Sequence, residues 1–234
     1  MVDSLGDRMK QFENISQHKL IPKLPVIMRL DGNCFHRFTH ELDTPFDSDL
    51  VSCFQSTAFG LLNKIQGATF AYLQSDEISI LITDWLRYNS QGFFDYKVQK
   101  MCSIGASYCT GIFNNWSYEV FNFNQTAYFD CRVFNLPIHE VVNYFVWRQQ
   151  DATRNSIQSL ARANFSHNEC HNLSCNELQE KLFTERNINW NDLPVHLKRG
   201  STIKDKNLDL HPPIFSQDRK YIENSMPTLF AREM

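Results

Sequence analysis

The order of elements in this 234-residue chain predicts an α+β fold: a ferredoxin-like βαββαβ antiparallel sheet with helices on one face, then a C-terminal helical extension. Three observations carry the expectation. Up to Phe134, short apolar runs and stretches of helical period alternate as β-α-β-β-α-β. The middle two runs are joined by a polar tip of hairpin length. Beyond Pro137 the longest apolar pattern has the period of a helix. Residues 1–136 are therefore expected to form the core and 137–234 an extension packed on it or projecting from it.

The elements follow in order. The opening MVDSLGDRMKQFENISQ has the period of a short amphipathic helix and no apolar core, so it does not read as a signal peptide. Val26 to Leu30 reads as a buried strand, with Pro25 where no ladder hydrogen bond is lost. Asp47 or Ser48 caps a helix in which Leu50, Val51, Phe54, Ala58, Leu61, Leu62 and Ile65 recur, and Gly67 stops it. ATFAYLQSDEISILIT is a β-hairpin with Ser75, Asp76 and Glu77 at or beside its tip. After a loop near 90–92, Phe94, Val98, Met101, Gly105, Tyr108 and Ile112 define a second long helix whose other face carries Lys97 and Lys100. Tyr128 to Phe134 is a strand by its aromatic and β-branched content. Pro137 opens a long helix through 138–165. Ser174 with Glu177 forms a capping-box signature for a helix from Ser174 to Glu185. The polar, proline-containing tail after Asn207 receives little assignment.

Composition narrows the partners. A net charge of −3 gives no global field for nucleic acid, so RNA would need a local basic patch. Nineteen phenylalanines predict an aromatic-rich core. No apolar run approaches the ~20 residues of a membrane span. Seven cysteines include no CxxC pair. HNECHNLSC brings His167, Cys170, His171 and Cys175 close in sequence, but without a clean four-ligand zinc spacing. Reduced thiols in a cytoplasmic protein are the simpler reading.

In the expected topology the first strand lies beside the third. Asp31, leaving the first strand, and Asp76, at the hairpin, then share one sheet edge. Two carboxylates so close repel unless a cation sits between them, and Mg²⁺ takes oxygen ligands of this kind. Gly32 lets backbone approach the same ion or its phosphates. Singly, each aspartate is an ordinary turn residue; the coincidence of position points to a metal site. Paired carboxylates on such a sheet are also the plan of polymerase palms and nucleotidyl cyclases, where metals hold a triphosphate. Candidate cations are Arg29, His36, Arg37, Lys97, Lys100, Arg132, Arg148 and Arg154, each of which can equally be a solvated surface charge. Asp130, two residues from Arg132 on the same strand face, is that arginine's expected partner.

RLDGNCFHRF, YLQSDEISIL, YFDCRVFNLP, WRQQDATRNS and LPVHLKRG, in this order between Lys19 and Thr202, resemble the tRNA(His) guanylyltransferase superfamily of 3′–5′ polymerases. The resemblance implies a palm-like catalytic core in which Asp31 and Asp76, with the Gly32 carbonyl, bind two Mg²⁺ ions. It implies nucleotide contacts from Arg29, Asn33, Cys34, Phe35, His36, Arg37, Ser75 and Lys100. Contacts to the RNA 5′ end or to a second nucleotide fall on Lys97, Arg132, Arg148, Asp151, Asn155, Lys198 and Arg199. It further implies tRNA, ATP, GTP and other NTPs as partners, a homotetramer, and no membrane. One departure bears on specificity: where strict guanylyltransferases read HINNLYN, this chain reads TRNSIQS from Thr153 to Ser159, keeping only Asn155. That favours the guanylyltransferase-like proteins of bacteria, archaea and phages, which repair truncated tRNA 5′ ends by templated addition after ATP or GTP activates the 5′ phosphate. The alternatives are single-G addition to tRNA(His) and a non-catalytic RNA-recognition module, whose sheet would present aromatics absent from VIMRLDG. A nucleotidyl cyclase fits the long helix after Pro137 poorly.

Overall fold

A computed structural model describes residues 4–86, 89–122 and 125–227. In chain order the elements are α1 (Leu5–Ile15), β1 (Val26–Asn33), α2 (Phe35–Phe38), α3 (Ser48–Lys64), β2 (Ala68–Gln74), β3 (Glu77–Ile82), α4 (Val98–Phe121) and β4 (Tyr128–Asn135). They continue with α5 (Val141–Asn164), α6 (His167–Cys170), α7 (Cys175–Arg186), α8 (Val195–Arg199), β5 (Ser201–Lys204), β6 (Asn207–Asp209) and α9 (Lys220–Glu223). The local signals act as their chemistry dictates. The Asp47 carboxylate accepts from the Leu50 N–H at 2.8 Å to start α3. Ser174 and Glu177 close a reciprocal capping box on α7.

One antiparallel sheet runs β4-β1-β3-β2-β5-β6. Its first four strands and two long helices are the expected α+β, ferredoxin-like palm arrangement. α3 and α4 cover one face, burying Met28, Leu30, Ala71, Ile78 and Ile80 with an aromatic cluster of Phe35, Phe38, Phe54, Phe113 and Phe129. Each of these side chains larger than alanine contributes roughly 1.5–3 kcal/mol of transfer free energy. α5 crosses the opposite face, where Val141, Tyr144 and Phe145 meet Ile27, Phe70, Tyr72 and Leu81. A third cluster joins Ile157, Leu160 and Ala161 of α5 to Leu178 and Leu182 of α7.

Three features differ from expectation. The sheet has six strands, because β5 pairs with β2 and β6 with β5. At four and three residues these strands are too short to show a period. The tail beyond Asn207 is also structured: Phe215 and Ile222 are fully buried under the α5 face of the sheet. Finally, α4 starts at Val98 and not near Phe94, because Phe94, Asp95 and Tyr96 take positive φ angles of 47°, 55° and 59°, which no α-helix contains.

Candidate active site

β1 does not end at Leu30; it continues to Asn33, with Asp31 inside the ladder, opposite Glu77 on β3 and Asp130 on β4. Strand period 2 puts Ile27, Arg29 and Asp31 on one face, the face under α5. A row of acids, Asp130–Asp31–Glu77, thus crosses three strands. The next row holds Arg132, Arg29, Ser79 and Tyr72.

Asp76 reaches this edge from the β2–β3 turn, where Ser75 adopts a left-handed φ of 49°. The Gly32 N–H donates to the Asp76 carbonyl at 3.1 Å. A Cβ on Gly32 would stand 2.9 Å from Asp76 Oδ2 and 2.5 Å from the Phe35 ring. Gly32 is therefore the gap through which the second carboxylate closes on the backbone next to the first. Burial raises the Asp76 pKa above the usual carboxylate range, and the negative charge of Asp31 raises it further; hydrogen bonds from its own backbone and from Ser75 oppose the rise. Among the described residues no salt bridge reaches either aspartate.

Glu77 is held differently. Arg148 on α5 grips it with both sides of its guanidinium, Nε to Oε1 at 2.8 Å and Nη2 to Oε2 at 2.7 Å. The same Nη2 donates to Asp151 at 2.9 Å, and Arg154 closes on Asp151 from outside. Ser79 donates to Glu77 Oε1 at 3.1 Å and meets the Tyr144 hydroxyl at 2.8 Å. Both Glu77 oxygens are thus engaged. Among the described residues no group of three His, Cys, Asp or Glu is arranged around a metal position. A cation here would rest on the Asp31 and Asp76 carboxylates and on oxygens from backbone or ligand. This all-oxygen, doubly anionic donor set suits a hard divalent ion such as Mg²⁺.

A cavity of about 300 Å³ opens beside Asp76. Its walls are the hairpin tip (Gln74, Ser75), the α2–α3 region (Phe35, His36, Gln55), one face of α5 (Asn155, Ser156, Ser159) and the end of α8 (His196, Gly200). Gln74 is only 7% exposed, and its Oε1 is buried without a partner among the described residues. Gly200, at φ 81°, brings β5 in close: a Cβ there would lie 2.3 Å from the Leu73 carbonyl. The Tyr72 hydroxyl fixes the same turn by donating to the Arg199 carbonyl at 2.7 Å. Burial first and His211 second lower the His196 pKa, which favours its neutral imidazole.

The structure gathers most of the sequence-predicted residues at this edge. Asn33 and Cys34 are exposed just past Asp31, Cys34 in a left-handed conformation that starts α2. His36 and Arg37 are exposed on α2, whereas Phe35 is buried in the aromatic cluster. Arg29 is half-buried opposite Arg132, and its Nε has no partner among the described residues. Arg132 is exposed and lies 3.7 Å from Asp130, a separation worth little in solvent. Lys198 donates to the Asn191 carbonyl at 2.5 Å and sits over the Trp190 ring. Arg199 Nε is buried without a partner among the described residues.

Lys97 and Lys100 are not brought to the carboxylates within one chain. β3 runs from Glu77, beside Asp31, to Ile82, beside Val26, and α4 begins at that far end against Val26 and Ile82. Gln74, Gln55, His196 and the depth of the Glu77–Arg148 pair were not anticipated. The last had a signal, since a glutamate opening the apolar run EISILI needs a buried partner and Arg148–Asp151 is one helical turn long.

The chain is similar to known proteins along nearly its whole length. Residues 6–137 match the family model described as Thg1: tRNAHis guanylyltransferase. A solved bacterial tRNA(His) guanylyltransferase (Thg1)-like protein in complex with ATP superposes with a TM-score of 0.93 at 46% identity, covering 95% of this chain and 99% of the other. An uncharacterized protein of Acanthamoeba polyphaga mimivirus is 30% identical, covering 86% of this chain and 77% of its own. The tRNA(His) guanylyltransferase of Saccharomyces cerevisiae is 26% identical over 93% of this chain and 97% of the yeast protein. No helix among the described residues is long and apolar enough to cross a membrane. With the palm sheet and these matches, the chain belongs to the tRNAHis guanylyltransferase (Thg1) family and is a nucleotidyltransferase.

Proposed function

We propose that this nucleotidyltransferase extends truncated tRNA at its 5′ end in the 3′–5′ direction, choosing each nucleotide by pairing with the opposite strand. The observation that carries the reading is the approach of the Asp76 carboxylate to Gly32, next in sequence to Asp31, beside a cavity of about 300 Å³. The similarity to bacterial structures described as complexes with ATP and with GTP supports nucleotide binding here. In this reading residues 1–136 are the catalytic palm, and residues 137–234 wall the cavity through α5 and the Gly200 turn.

The chemistry runs in two phosphoryl transfers. ATP or GTP first activates the RNA 5′-monophosphate as an adenylate or guanylate, releasing pyrophosphate. The 3′-hydroxyl of an incoming NTP then attacks that phosphorus and releases the mononucleotide. RNA already carrying a 5′-triphosphate skips the first transfer. Asp31 and Asp76 would hold two Mg²⁺, which when bound neutralise phosphate charge and lower the pKa of an attacking hydroxyl. Ser75, His36 and Arg37 line or border the triphosphate path, with Asn33, Cys34 and Phe35 shaping the turn beneath it. Arg29 and Arg132, opposite one another on β1 and β4, form a guanidinium pair suited to phosphate. Asn155, Lys198 and Arg199 address the RNA end. Arg148 and Asp151 act from below, by fixing Glu77. The exposed apolar stripe of α1 (Leu5, Met9, Phe12, Ile15) favours association of copies, in this reading a homotetramer in which Lys97 and Lys100 serve a neighbouring active site. Seven unpaired cysteines suit a cytoplasmic setting.

Repair is preferred over single-G addition because Thr153–Ser159 departs from the HINNLYN pattern on the part of α5 that faces the cavity. The test offers Mg²⁺, labelled NTPs and either a tRNA lacking its 5′ nucleotide or intact tRNA(His). Faster, Watson–Crick-directed filling of the truncated tRNA is expected. Faster addition of G to intact tRNA(His) across a mismatch would overturn the repair reading.

A further inference from the structure

The HNECHNLSC segment takes no part in the site above. It folds as α6 and the start of α7, and with the C-terminal half of α5 it encloses a second cavity of about 210 Å³. Gln158, Arg162, His167, His171 and Asn172 supply its polar wall, and no carboxylate lines it. We propose that this cavity is a phosphate subsite for the RNA strand, with Arg162 as its main contact and His167, His171 and Asn172 as further donors. The inference rests on RNA being the substrate and adds where its backbone is gripped.

Three observations support the assignment. Arg162 is exposed and makes no hydrogen bond or ion pair with the described residues, so its five donors are available in a chain of net charge −3. The two glutamates nearest in sequence are both turned into helix caps: Glu169 accepts from Ser166, and Glu177 from Ser174. Neither lines the cavity, where His167 and His171 stand with ring centroids 5.8 Å apart. Arg162 also shares a face of α5 with the nucleotide cavity. It lies seven residues beyond Asn155, two helical turns, which is about 10 Å along the axis. That spans roughly three rises of a stacked strand. An RNA with its reacting end in the first cavity can therefore lay a backbone phosphate in the second.

The test uses the full chain and 5′-truncated tRNA. RNA affinity is read by fluorescence anisotropy across a salt series, alongside steady-state nucleotide addition. Arg162→Ala is expected to weaken RNA binding about 10-fold and to lower the slope of log affinity against log salt by about one. The KM for NTP and kcat stay unchanged, and Arg162→Lys keeps the salt slope. Unchanged RNA affinity and slope in Arg162→Ala would overturn the subsite. So would an equal loss in the KM for NTP, which would make the cavity part of the nucleotide site. Stoichiometric zinc binding lost in Cys170→Ser would likewise replace the phosphate assignment. A parent protein that binds RNA through Arg162 yet adds no nucleotide would keep the subsite and defeat the proposed function.

Discussion

Replacing Arg148 by leucine isolates what holds the catalytic hairpin to α5. In the parent, the Arg148 and Glu77 side chains are 6% and 9% exposed and joined by two bonds of 2.7–2.8 Å. Leucine leaves Glu77 as a buried carboxylate whose only remaining side-chain donor among the described residues is Ser79. Removing one partner of a buried pair costs about 3–5 kcal/mol. At about 2–4 °C per kcal/mol for a chain of this size, the midpoint should fall by roughly 6–20 °C. Adding Glu77→Gln removes the stranded charge and should restore much of the loss. Nucleotide addition, assayed below both melting points, should fall in the single variant, since Glu77 follows Asp76 directly and lies opposite Asp31. Thermal and urea unfolding of the two variants is the assay. A single variant within 1 kcal/mol of the parent, or a double variant no more stable than the single, would refute the anchoring role.

Two further outcomes follow from the carboxylate edge. Gly32→Ala forces a methyl into the Phe35 ring and the Asp76 carboxylate, so it should destabilise by about 1–3 kcal/mol and lower nucleotide addition more than a comparable loss of stability elsewhere; urea midpoints paired with addition rates read both. Asp76→Asn should stabilise the protein at neutral pH when divalent ions are chelated. The folded pKa of Asp76 is raised, so the folded state holds this proton more tightly, and stability is lost as pH rises from the unfolded carboxylate value through the raised one. The gain should therefore appear at pH 7 and vanish near pH 3 in melting curves. A variant that melts below the parent at pH 7 would contradict it.

Much of this was legible in the sequence, for definite reasons. Strands and helices long enough to show a period, such as Ala68–Gln74 and Val141–Asn164, announced themselves, and the order of the first four strands placed Asp31 and Asp76 on one edge. β5 and β6 were hidden because four and three residues carry no period, and their place is set by pairing, β5 with β2 and β6 with β5. The run of positive φ at Phe94–Tyr96 was hidden because apolar spacing reports a face and not a backbone angle. Lys97 and Lys100 illustrate a different limit: their helix was found, but which end of the sheet it starts from depends on chain direction through β3. Gln74 was invisible because an unsatisfied amide is a property of its surroundings.

The most direct test of the central claim is the rate of Mg²⁺-dependent nucleotide addition to 5′-truncated tRNA by Asp31→Ala and Asp76→Ala, each first confirmed to unfold cooperatively. Both rates are predicted to fall by at least about 100-fold. Either variant extending the RNA at the parent rate would contradict the account.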